Sequence, residues 1–159
     1  PKKLPVAGAE KAVEAIDVLL GKVEVGEKVV VVGGGLTGCE IAYDLYLKGK
    51  QPTIVEMQDD LITTKGICLA NTSYLRDFFK TNQVPVYLES RTSEIRDGSV
   101  VIQDKEGNST ELPADSVILS VGYKPAPVAT KGVKVIGDAS KVGNLRTVIW
   151  QAWDVAMKL

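Results

Sequence analysis

The stretch Val29-Val-Val-Val-Gly33-Gly-Gly-Leu-Thr-Gly38-Cys-Glu40 passes from four valines to three glycines without a polar residue between. Four consecutive β-branched residues favour a strand that is apolar on both faces, as a central parallel strand requires. Gly33, Gly35 and Gly38 then satisfy G-x-G-x-x-G, and the residues after Leu36 read as a helix. In that context each glycine has a separate reason. Gly33 permits a tight turn, Gly35 lets backbone approach a pyrophosphate, and Gly38 lets the helix close on the strand. Gly34, Leu36 and Thr37 complete the loop, and the helix N-terminus offers N–H groups and the positive end of a dipole to phosphates.

The pattern continues outward from this loop. Lys28–Val32 is the first strand, Leu36–Lys48 the helix closed by Gly49, and Pro52–Met57 (PTIVEM) a second strand, together one βαβ unit. Upstream, Glu10–Leu20 carries an apolar stripe near period 3.6 and reads as a helix stopped by Gly21. Downstream, Gln58–Lys65 is a loop, Ile67–Lys80 a helix and Val84–Leu88 a strand. Ser93–Arg96, Ser99–Gln103 and Ser109–Leu112 are short and alternating, with turn residues between, and form an antiparallel meander of three strands. Ser116–Val121 is a buried strand, Val133–Ile136 another, and Arg146–Leu159 a final helix with Trp150 and Trp153. The expected fold is α/β: a Rossmann-like parallel sheet with flanking helices and a three-stranded β-meander. Both tryptophans read as core or interface packing.

Composition narrows the function. The chain has 159 residues, a formal net charge of −1 and no histidine. A pI near 5.6 without a basic stripe argues against nucleic acid, and no apolar run approaches membrane-spanning length. Without histidine, Ser-His-Asp and Cys-His catalysis and the commonest metal ligand are excluded. Cys39 and Cys68 form no CxxC pair, so both read as packing residues in a reducing compartment, the cytoplasm. No catalytic side chain and no metal site are expected, and any reactive centre belongs to a bound cofactor. Residues 1–5 lack the core of a secretory signal, and a chain opening on proline is expected to be a piece of a longer protein.

Glu56 ends the second strand, 18 residues beyond Gly38. A carboxylate there can accept from both ribose hydroxyls of a dinucleotide, and Met57 follows it in the site. The loop alone suits NAD or FAD. Two features favour NAD(H) over NADP(H). Glu56 repels a 2′-phosphate, and Met57-Gln58-Asp59-Asp60 offers no cation to hold one. FAD-binding halves, moreover, usually open their protein, whereas about 28 residues precede this strand.

The segments VVVVGGGLTGCEIA, TIVEM, ADSVILSVGYKP and VKVIGDAS resemble the two-dinucleotide-binding flavoprotein family. The likeness is to the C-terminal part of 2-enoate reductases, 2,4-dienoyl-CoA reductases and trimethylamine dehydrogenase, and covers nearly the whole chain. It implies a connector helix over residues 1–24, an NAD(P)-binding domain over 25–124, and over 125–159 the returning strand and helix of an incomplete FAD-binding domain. It further implies that Glu40 lies near the nicotinamide carboxamide and that Gly122 lines the nicotinamide pocket. Gly137 and Asp138 would belong to the second FAD motif. As a glutamate in the first turn of a helix, Glu40 is equally explained by the dipole. Relatives carry FAD, FMN and a 4Fe–4S cluster. The other half of the FAD domain, the old-yellow-enzyme-like barrel and the cluster cysteines have no counterpart here, and the 128–134 connection is shorter than usual, as though residues were absent. The parent chain would supply the partners, and homo-oligomerisation stays open. The implied role is docking NADH for hydride transfer to FAD, with the fragment inactive by itself. The alternatives are an FAD- or other nucleotide-binding module, or an interaction domain that has kept only the fold.

Overall fold

The computed structural model describes residues 1–128 and 131–158. Its contacts divide into two compact units, Lys3–Val121 and a smaller one of Pro1–Lys2 with Gly122–Leu159.

The larger unit contains a five-stranded parallel sheet and a three-stranded antiparallel sheet. The parallel sheet is built from β1 (Val13–Glu14), β2 (Lys28–Val32), β3 (Gln51–Val55), β4 (Val86–Tyr87) and β8 (Ser116–Leu119), in the order β1-β8-β2-β3-β4. The meander is β5 (Arg91–Arg96), β6 (Ser99–Gln103) and β7 (Ser109–Pro113). Helices α1 (Ala15–Leu19), α2 (Leu36–Leu47) and α3 (Leu69–Thr81) complete the unit.

The valine run explains the layering. Successive side chains of a strand point to opposite faces. Val29 and Val31 pack with Ile54, Ile118, Ile41, Leu45, Leu75 and Phe79, the helix-covered face. Val30 and Val32 pack with Val55, Val117, Leu119 and the meander residues Ile95, Val100 and Ile102. Each face therefore has its own core, and β2 lies fully covered between them. The helix α2 ends where Gly49 adopts φ 77. Gly49 N–H then donates to Tyr46 O at 2.9 Å and Lys50 N–H to Leu45 O at 3.0 Å, closing a Schellman cap.

Two expected elements differ. The helix over Glu10–Leu20 is reduced to α1; Ala9–Lys11 forms a single 3₁₀ turn and Val13–Glu14 a strand. Val13 and Glu14 pair with Ile118 and Leu119. Capping the open edge of β8 outweighs a short helical stripe, because a buried strand edge without partners leaves backbone groups unsatisfied. Val133–Ile136, expected as a strand, is irregular, and Val133 is exposed. A strand exists only through a hydrogen-bonded neighbour, and among the described residues every strand lies within 13–119. The shortened connection expected over 128–134 includes residues 129–130, which lie outside the described residues.

In the smaller unit, α4 (Leu145–Ala156) starts at a capping box: Thr147 N–H donates to Asn144 Oδ1 and Asn144 N–H to Thr147 Oγ1. No described residue of α4 is buried. Trp150 and Trp153 are 59% and 58% exposed rather than packed in a core, because no described residue of this unit covers that face. No helix of the described residues is long and apolar enough to cross a membrane.

Candidate functional site

The glycine loop leaves β2 at the carboxyl end of the parallel sheet, the end at which open α/β sheets bind ligands. Gly33 N–H donates to Val55 O, and Ser120 N–H to Val32 O, both at 2.8 Å, so the loop starts from a strand held on both sides. Gly33 has φ 109, a conformation open to glycine, and a methyl group on it would stand 2.3 Å from Ser120 O. On Gly38 a methyl group would stand 1.9 Å from Gly33 O, so the first turn of α2 lies directly against the loop. At Gly35 it would meet nothing within 4 Å. Gly35 is also the cap position of α2, and no side chain caps that helix. A loop without side chains thus presents an uncapped helix N-terminus to open space, the arrangement that receives a phosphate. Leu36 and Thr37 are half-buried in that first turn.

Glu56 is neither a free acid nor a remote one. Its Oε2 accepts from Gly34 N–H at 2.6 Å and its Oε1 from Gln58 N–H at 2.8 Å. The carboxylate ties the glycine loop to the end of β3. From the other side, Gly34 O accepts from Ile62 N–H at 2.8 Å and from Cys39 Sγ at 3.4 Å. Ile62 has φ 53, a strained conformation for a β-branched residue. The Gly34 peptide is therefore fixed on both its polar groups. The spacing brought Glu56 to the end of the second strand, while its bond to Gly34 and the clamp through Ile62 have no sequence signal.

Met57 is exposed beside Glu56. Glu40 is exposed and is the fifth residue of α2, so it stands past the first turn, where the dipole has weakened. Burial pushes the Cys39 thiol up to about 12, with Glu56 adding to the effect, which makes it an inert packing group. Cys68, expected to pack, is exposed at the N-terminus of α3, because the chain around it, residues 63–66 and 68–71, runs along the surface. In the smaller unit, Gly122 O accepts from Lys2 N–H at 2.9 Å. Gly137 N–H donates to Gln151 Oε1 at 2.7 Å, and exposed Asp138 accepts from Gly143 N–H at 3.0 Å, closing a turn.

Sequence reading missed a group of charges beyond Glu56. A cavity of about 700 Å³ opens beside Met57, Gln58 and Asp59 and reaches Glu89, Arg91 and Lys105. Lys105 and Arg91 come from the β6–β7 turn and the start of β5, remote in sequence from the glycine loop.

Comparison with known proteins agrees with this geometry. The chain is 38% identical over its full length to cinnamate reductase of Clostridium sporogenes, and spans 25% of that protein. It is 34% identical over 97% of its length to NADH oxidase of Thermoanaerobacter brockii, spanning 26% of it. It thus covers about a quarter of these relatives. Among solved structures, a 2-naphthoyl-CoA reductase complex superposes with a TM-score of 0.82 over 94% of this chain and 24% of its own, at 24% identity, a likeness of fold. The sequence model of the pyridine nucleotide-disulphide oxidoreductases matches residues 1–147. With that match and this loop, the chain belongs to the pyridine nucleotide-disulphide oxidoreductase family.

Proposed function

We propose that this chain docks NADH, in preference to NADPH, so that the nicotinamide faces the flavin of a larger oxidoreductase. The observation that carries the reading is the Gly35 opening: a side-chain-free loop at an uncapped helix N-terminus, tied to a carboxylate just past the end of the next parallel strand. Gly35, Leu36 and Thr37 would take the pyrophosphate on backbone N–H groups. Glu56 spends one acceptor direction of each oxygen on the loop. A carboxylate has about four such directions, so it retains acceptors for the ribose hydroxyls. The same charge repels a 2′-phosphate.

When bound, NADH supplies a hydride and the flavin accepts it. This chain contributes placement: the loop is fixed before the ligand arrives, so little ordering entropy opposes binding. No side chain here is assigned a proton transfer. We place residues 25–124 as the NAD(P) domain and 125–159 as part of the FAD domain, with Gly137 and Asp138 on the FAD side and Glu40 and Gly122 toward the nicotinamide. The cinnamate reductase similarity supports a parent of 2-enoate or 2,4-dienoyl-CoA reductase type. That parent would contribute the other FAD half and a barrel with FMN and 4Fe–4S, and would act in the cytoplasm.

Calorimetric titration of the protein with NADH, NADPH and FAD tests the reading. Saturable NADH binding, weaker NADPH binding, and loss of both in Gly35→Ala are expected. Tighter binding of FAD than of NADH, or no nucleotide binding at all, overturns it.

A further inference from the structure

The cavity beyond Glu56 is unusual in its charges. Two cations line it, Arg91 and Lys105, the kind of groups that would hold a nucleotide 2′-phosphate, together with three carboxylates, Asp59, Glu89 and Asp104. Both already have partners. Lys105 Nζ lies 2.8 Å from Glu89 Oε2. Arg91 Nε donates to Gln103 Oε1 at 3.1 Å, and its Nη2 donates to the same oxygen. Gln103 is fixed in turn through Nε2 to Gly107 O at 2.9 Å.

Glu89 is the element that organises this arrangement. It adopts φ 48, a left-handed conformation that a glutamate rarely takes. Flanking hydrogen bonds hold it there: Glu89 N–H to Gln58 O and Ser90 N–H to Glu56 O, each 2.9 Å. The strain is thus anchored to the same backbone that presents Glu56. The opposing turn is equally fixed. Asp104 accepts from the N–H groups of Glu106 and Asn108 at 2.9 and 2.8 Å, which sets where Lys105 starts. Strained backbone held by its surroundings is a mark of functional placement. The Glu89–Lys105 pair itself is exposed, and such pairs add little stability. Its effect is on which charges the cavity offers.

We propose that Glu89 is a specificity-determining residue: by pairing with Lys105 across the cavity beside Glu56, it withholds the cation that a 2′-phosphate would need and adds a repelling carboxylate. The inference rests on the docking reading above and extends it to a residue 33 positions from Glu56 in sequence. The cavity, whose lining also carries Asp59 and Asp104 and which opens at Met57, the neighbour of Glu56, then accepts a 2′-hydroxyl and rejects a 2′-phosphate, with Glu89 at the turn into β5 cancelling Lys105.

The test is titration of the protein and of Glu89→Gln with NADH and NADPH, at low and physiological salt. In Glu89→Gln, NADPH should bind about five- to tenfold more tightly at low salt, the size expected for removing one like charge near a mostly solvated phosphate. NADH should stay within about twofold. The gain should shrink with salt and vanish in Glu89→Gln/Lys105→Gln. Glu89→Asn, suited to left-handed backbone, should reproduce it. An unchanged NADPH affinity alongside intact NADH binding overturns the role of Glu89 and leaves the docking reading standing, as does a gain that survives removal of Lys105. Absence of NADH binding to the unaltered protein overturns both.

Discussion

Replacing Gly38 with alanine separates the local rule from the tertiary one. Gly38 is the third residue of α2, and inside a helix alanine is favoured over glycine by about 1 kcal/mol. Helix propensity alone therefore predicts stabilisation. The packing predicts the opposite. The new methyl group would stand 1.9 Å from Gly33 O and 3.3 Å from Ser120 Cβ. Ordinary contact needs more than 3 Å, so the helix start or the loop must retreat by over 1 Å. Gly33 cannot yield easily, since its N–H is bonded to Val55 O and its neighbour Gly34 is clamped by Glu56 and Ile62. Overpacking of this kind costs about 1–3 kcal/mol or more, and more here because backbone must move. Against the propensity gain, a net loss of about 2 kcal/mol results. For a unit of this size that is a fall of roughly 8 °C in Tm. Thermal melting followed by circular dichroism reads it directly. Gly35→Ala is the internal control: with nothing within 4 Å and φ −68, it should melt within about 2 °C of the unaltered protein while losing nucleotide. A Gly38→Ala variant as stable as the original, or more so, refutes the reasoning.

Two further outcomes follow from the chemistry of single groups. At pH 8 a thiol reagent should modify one equivalent rapidly, Cys68, because Cys39 is buried with its thiol raised to about 12; Cys68→Ser should abolish the fast phase, and rapid loss of two thiols would contradict the burial of Cys39. Asp104 lies below its ordinary 3.8, chiefly through Asn108. Glu94 and Glu111 lie below their ordinary 4.5, chiefly through Arg96 and Ser99 respectively. Carboxyls depressed in the folded state stabilise it above their unfolded pKa and lose that contribution as pH falls. The urea midpoint should hold from pH 7 to about 5.5, fall below about 4.5, and fall less steeply in Asp104→Asn; a midpoint constant down to pH 3 would contradict the assignment.

Much of the central architecture was legible because it is written locally. Four valines in a row specify a strand covered on both faces, and the parallel sheet divides them as alternation requires. The glycine spacing located the loop, and Glu56 its carboxylate. What escaped depends on residues distant in sequence. Val13–Glu14 became a strand because β8, a hundred residues on, has an open edge. Val133–Ile136 looked like a strand but has no neighbour to pair with among the described residues. Cys68 and the two tryptophans are apolar enough to suggest burial, yet exposure is decided by what packs over them. The cations sought among residues 57–60 arrive instead at 91 and 105, delivered by the meander.

The strand order also dictates when the sheet can assemble. The four-valine strand is paired on one side by β3 and on the other by β8, the last strand of the sheet in sequence. During synthesis the βαβ unit is complete by residue 55, yet the second edge of β2 stays bare until residue 119 emerges. β1 waits with it, since its partner is β8 as well. For that interval an unpaired edge with four consecutive valines is open to any extended chain nearby, the circumstance that seeds strand-to-strand aggregation. Residues 116–119 thus act as a latch on nascent chains, and a chain ending before them would leave its most adhesive edge uncovered.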